Sequence, residues 1–187
     1  MSRVTLGGLA CGLALLLMTA CSSTGGGKLS TNGPFGNGGP NSGTNGTCAR
    51  PGQVVHDGFE EFPNAGGTAT LDKVTLVSPR HLRLIAAWVV PTTGALVDIG
   101  WGYPTATSLA SAAPGVRWGL RQRIPGAVVR HTHGQEAINL VILVKPSGNA
   151  ATVNAVNLYY HAAGTHYLLH FPFGLNIQIR RTCKESL

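Results

Sequence analysis

Charge is scarce in this chain. Only 11% of its 187 residues are Asp, Glu, Lys or Arg, and just seven are acidic. With 43% hydrophobic residues beside so little charge, the chain is no charged disordered polymer and has material for a core. No run of eighteen or more apolar residues lies beyond the N-terminus, which excludes a multi-span membrane protein. Methionine stops at Met18, so the remainder lacks the soft thioether ligands that copper(I) carriers use. Gly-x-Ser-x-Gly, a phosphate-cradling glycine loop, His-Glu-x-x-His and Cys-x-x-Cys are all missing, and so is any internal repeat. The familiar signatures of catalysis are therefore absent.

What is present is unevenly placed. Arg3 and the α-amino group make a short positive region, Val4 to Met18 carry no charge, and small residues follow. That layout predicts a secretory signal over residues 1–20 rather than a spanning helix. The segment Leu17-Met18-Thr19-Ala20-Cys21 resembles the lipobox of bacterial lipoproteins, with Met18 where leucine is usual. The resemblance implies that Cys21 receives diacylglycerol and becomes the mature N-terminus. It also implies a cell-membrane anchor on the extracytoplasmic side, each buried CH₂ contributing about 0.8 kcal/mol. As a whole the layout is similar to that of small actinobacterial lipoproteins, and ten arginines against four lysines fit a GC-rich genome.

Residues 22–47 are Gly, Ser, Thr, Asn and Pro with almost nothing to bury. They predict a flexible tether, with a root-mean-square span of about 25–30 Å. The expected organisation is a signal peptide over 1–20, lipidated Cys21 with its tether to 47, and one domain over 48–187. With Cys11 in the signal and Cys21 lipidated, Cys48 and Cys183 remain. In an oxidising compartment they are most simply a disulfide closing the whole domain, worth about 5 kcal/mol in the chain-entropy model. The alternative is a pair of free or redox-active thiols.

Short apolar runs bounded by Gly, Pro and Asn read as strands. They fall at 53–56, 69–77, 81–90, 95–100, 116–123, 126–131, 137–144, 153–161, 165–171 and 175–181, with a short helix at 105–113. The pattern predicts an all-β domain, an antiparallel two-sheet β-sandwich of immunoglobulin-like type, with a closed β-barrel as the alternative.

Two constellations stand out. In the hairpin 153–171, Val156, Leu158, Tyr160, Tyr167, Leu169 and Phe171 form a core face, and a type I turn ends at Gly164. The opposite face then carries Asn157, Tyr159, His161, His166, Leu168 and His170. His166 and His170 would lie about 13 Å apart and cannot share an ion, whereas His161 and His166 are near-opposite across the turn. His131 and His133 form a second pair about 6–7 Å apart on one strand face. These four histidines are the candidate metal ligands. Two pairs fall short of the three or four ligands such a site needs, so solvated or pH-responsive histidines are the plainer reading.

The second constellation is basic. Alternation in Val116–Arg123 predicts Val116, Trp118 and Leu120 inward and Arg117, Arg121 and Arg123 along an outer, anion-binding face, with Arg130, Arg180 and Arg181 further on. Asp57, Glu60 and Glu61 beside His56 predict a mobile acidic loop, and Glu136 beside His133 carries no further signal. The expected role is non-catalytic and cofactor-free. It is binding of an envelope protein, glycan or anionic lipid by a membrane-anchored domain, without nucleic acid. Metal binding is the second reading and an enzyme around His56 the third.

Overall fold

A computed structural model describes residues 29–35, 43–61, 67–93, 101–113, 115–130 and 137–183. The signal peptide, Cys21, the strand expected at 95–100, His131, His133 and Glu136 lie outside the described residues. The strands are β1 Gly43–Ala49, β2 Val55–Glu61, β3 Thr68–Val77, β4 Leu82–Thr92, β5 Trp101–Tyr103, β6 Gln122–Ile124 and β7 Ala127–Arg130. After them come β8 Ala137–Pro146, β9 Ala150–Val153, β10 Ala155–Ala162, β11 Thr165–Phe171 and β12 Phe173–Ile179. Among the described residues one α-helix, α1 Ala106–Ala112, falls where the sequence places it.

The chain forms the all-β sandwich and does not close into a barrel. Hydrogen bonding among the described residues divides it into three sheets, not two: β1-β12-β9, β11-β10-β3-β7 and β5-β2-β8-β4-β6. A shared core collects the inward residues of all three, including Leu71, Leu140, Ile142, Leu158, Tyr160, Leu175 and Ile177. Each such side chain contributes roughly 1.5–3 kcal/mol by leaving water. Strand β8 is apolar almost throughout because both of its faces are covered. Leu140, Ile142 and Val144 point into the shared core, while Val141 meets Val90, Leu109 and Ala113 on the other side. Helix α1 supplies that second cover. At seven residues it is marginal alone, and the Thr105–Ser108 capping box starts it while buried Leu109 docks it.

The ends of the domain meet. Strand β1 pairs in parallel with β12, and Arg180 N–H donates to the Ala49 carbonyl at 3.0 Å. Cys48 and Cys183 are joined by a disulfide with 5.6 Å between their Cα atoms and 135 residues between them in sequence. The staple expected from cysteine arithmetic is therefore present, and it locks the first strand against the last.

Three expectations are corrected. The tether does not run uninterrupted to residue 47, because β1 begins at Gly43 and residues 29–35 dock on the sandwich. There, Ser30 bridges Tyr167, its N–H donating to the His166 carbonyl at 3.2 Å and its carbonyl accepting from Leu168 N–H at 2.9 Å. Phe35 is only 1% exposed, its ring 4.5 Å from that of Tyr160. The segment thus covers the open edge of β11, which would otherwise present unpaired backbone groups. The second correction is the strand expected at 116–123. Residues Trp118–Leu120 are a 3-10 turn, and only Gln122–Ile124 are extended. The third is the turn after His161. Ala163 and Gly164 both have positive φ, 48° and 78°, making a two-residue mirror-image turn of the kind that matches strand twist.

Candidate functional site

The hairpin faces are those the alternation demands. Val156, Leu158, Tyr160, Leu169 and Phe171 are buried, and His161 pairs directly with His166 one step from the turn. Further along, His170 pairs with Asn157 and shares a 2.7 Å hydrogen bond between Nδ1 and Oδ1. His170 is thus held apart from the other two histidines.

A third group joins His161 and His166 from β3. The β3–β10 register runs Tyr159 opposite Lys73 and then Tyr160 opposite Leu71, leaving Asp72 as an extra residue in a bulge. A bulge of this kind re-aims a side chain. Leu71 and Val74 both point into the core, so Asp72 and Lys73 are both turned outward. Asp72 Oδ1 lies 2.8 Å from His161 Nδ1, and Oδ2 lies 3.8 Å from His166 Nδ1. The ligand atoms of all three side chains fall within 4.8 Å of one another. Asp72 and His161 are about one-third and two-fifths exposed, so the trio opens to solvent. Lys73, the next residue, lies 5.7 Å over the Tyr159 ring.

Asp72 is absent from the sequence reading, although a signal for it exists. Apolar residues in β3 fall at Ala69 and Leu71 and then at Val74 and Leu76. The alternation slips by one residue at Asp72-Lys73, and a slip in a period of two is what a bulge leaves behind.

The arginines lie beside the other large sheet, and Arg123 is in it. Arg117 and Arg121 flank the 3-10 turn, and Arg123 sits on edge strand β6 directly opposite Trp88. Arg121 lies 4.9 Å over the Trp118 ring and donates to its carbonyl at 3.0 Å. All three arginines are exposed, and Leu120 is 50% exposed rather than inward. The expected strand face is replaced by a rim of cations around half-buried Trp118 and Trp88. The arginine and histidine faces therefore belong to different sheets.

His56 and Asp57 are not on a loop. They lie in β2, 8% and 0% exposed. As neighbours on a strand they point to opposite faces. His56 stacks with Trp88 at 6.0 Å and meets the edge of Trp118 at 5.6 Å. Asp57 pairs with Ile142 and so faces the shared core. This geometry separates His56 from Asp57, one of the acids beside it in sequence. The side chains of Glu60 and Glu61 lie outside the described residues. On the same outer side as His56, Asn139 is fully buried and its amide donates to Thr92 Oγ1 at 3.4 Å.

No protein-family model matches this chain, and no curated protein matches it.

Proposed function

We propose that this protein is a lipid-anchored, extracytoplasmic, non-catalytic binding module for an anionic component of the cell envelope. The observation that carries the location is the Cys48–Cys183 disulfide. Such bridges form and persist in oxidising compartments, and the two remaining cysteines are those assigned to the signal and the lipid. The lipobox-like Leu17–Cys21 segment supplies the anchor. Binding is supported by the rim of Arg117, Arg121 and Arg123 around Trp118 and Leu120, on a chain of net charge +7. Cations beside partly exposed apolar surface favour a polyanion with some hydrophobic character.

The test is expression of the full chain in a bacterial host with labelled palmitate, followed by fractionation. The wild type should carry label and sediment with membranes, and Cys21→Ser should lose both. An unlabelled wild type, or a labelled Cys21→Ser, would end the anchoring reading. Co-sedimentation of the wild type with isolated envelopes should fall steeply with salt, as exposed charge pairs are screened over about 10 Å at 0.1 M. Arg121→Ala should weaken it. Binding indifferent to both would remove the arginine rim from the function.

A further inference from the structure

We infer that Asp72, His161 and His166 form a binding site for a borderline divalent transition ion, zinc or copper(II), on the outer face of the four-stranded sheet. The inference goes beyond the anchoring reading and does not depend on it.

The donor set is the first argument. Two imidazoles and one carboxylate suit zinc and copper(II), whereas calcium and magnesium require shells built mainly of oxygen. The spacing is the second. Bonds of about 2.0–2.1 Å in a tetrahedral shell put ligand atoms roughly 3.3 Å apart. The approaches of the two histidines to the Asp72 carboxylate, 2.8 Å to Oδ1 and 3.8 Å to Oδ2, lie on either side of that value. Small side-chain rotations would seat an ion without moving a strand.

The third argument is how the site is built. Strand parity alone brings His161 opposite His166, and the two-residue turn at Ala163-Gly164 holds that pairing one step away. Counted from inward Leu71, parity turns Asp72 outward as well, beside the histidines; the bulge then turns Lys73 outward instead of into the core and lets Val74 resume the inward face. Both histidines lie within ion-pair distance of Asp72, His161 at 2.8 Å and His166 at 3.8 Å, the latter too far for a hydrogen bond. A metal would draw on all three side chains at once. The trio opens to water, so at least one coordination position remains for solvent or a partner's ligand.

The decisive experiment is calorimetric titration of the full chain, in detergent and without a histidine tag, with zinc, copper(II) and calcium salts. The expected result is saturable one-to-one binding of zinc or copper(II), with no heat from calcium. Whichever of the two ions binds more tightly is the one the site selects. Asp72→Asn, His161→Ala and His166→Ala should each weaken binding by more than the roughly 10–100-fold caused by losing a supporting partner alone. His170→Ala should leave it unchanged. Circular dichroism melts without metal should stay close to the wild type, because these side chains lie on the solvent side of the sheet and their loss leaves no internal cavity. Failure of both ions to saturate the wild type would overturn the inference. So would binding that survives His161→Ala/His166→Ala, or binding abolished by His131→Ala/His133→Ala with the trio intact.

Discussion

Replacing Phe35 by alanine separates a passive spacer from a structural part of the domain. A spacer residue contributes nothing to stability. In the structure, however, the ring is 1% exposed, belongs to the shared core and packs 4.5 Å from Tyr160. Truncating such a ring costs about 3–5 kcal/mol when the surroundings cannot collapse. Residues 29–35 lie on a sheet edge and can peel away, so the lower figure, about 3 kcal/mol, is expected. At roughly 2–4 °C per kcal/mol for a protein of this size, the melting temperature should drop by about 6–12 °C. Thermal unfolding of the full chain followed by circular dichroism reads the global effect. Hydrogen exchange at the Leu168 amide, which donates to Ser30, reads the docking itself. Gly33→Ala should act in the same direction, since an added Cβ would run into the Tyr160 hydroxyl and come within 2.7 Å of the Tyr167 ring. A Phe35→Ala protein that melts within about 1 °C of the wild type, with Leu168 exchange unchanged, would refute the reasoning.

Three further outcomes are expected. Cys48→Ser/Cys183→Ser should lose up to about 5 kcal/mol, less whatever the β1–β12 pairing restores, as read from chemical denaturation. An unchanged midpoint would show that the bridge is not a staple. Ala163→Asn should raise stability by about 1 kcal/mol, because Ala163 sits at a φ of 48° that Asn tolerates and alanine does not; a lower melting temperature would contradict the turn assignment. Burial raises the Tyr160 pKa above 10.0, partly opposed by a hydrogen bond with the Phe35 backbone and reinforced by Tyr167. The folded state therefore keeps its proton where the unfolded state loses it. That contribution is intact below pH 10.0 and is lost as pH rises through the folded value. Tyr160→Phe should flatten the alkaline fall in stability, and an unaltered slope would remove Tyr160 as its source.

Much of the architecture was legible wherever one physical rule acted alone. In β10, alternation put Val156, Leu158 and Tyr160 inside, and all three are buried. In β8, the apolar run Leu140–Val144 is what two covered faces require, and both are covered. Legibility failed where tertiary contacts outweighed local pattern. The segment Val116–Arg123 alternates like a strand, yet a 3-10 turn with Arg121 stacked on Trp118 satisfies the same spacing. Strand β1, GTNGTCA, has almost no apolar residue to announce it. It is extended because β12 pairs with it and Cys183 holds it. Phe35, a lone aromatic among glycines and asparagines, gave no period from which to read its burial. Of the metal trio, the histidine pair followed from parity, whereas Asp72 was hidden in a one-residue slip.

The docked segment also changes what an anchor at Cys21 would do. A tether running to residue 47 would let the domain roam freely around its lipid. With Leu29 already at the sandwich, only seven residues separate it from Cys21, and the eight steps between them reach at most about 26–29 Å even when fully extended. The docked segment lies along β11, and Ser30 donates to the carbonyl of His166 itself. A lipid on Cys21 would therefore hold the β11 edge, and with it the histidine face, within about 30 Å of the bilayer. The arginine rim belongs to the five-stranded sheet, across the shared core from that face. Such an arrangement gives the two surfaces different neighbourhoods: the Asp72–His161–His166 trio beside the anchored edge, and the cationic rim on the sheet that the anchor does not touch.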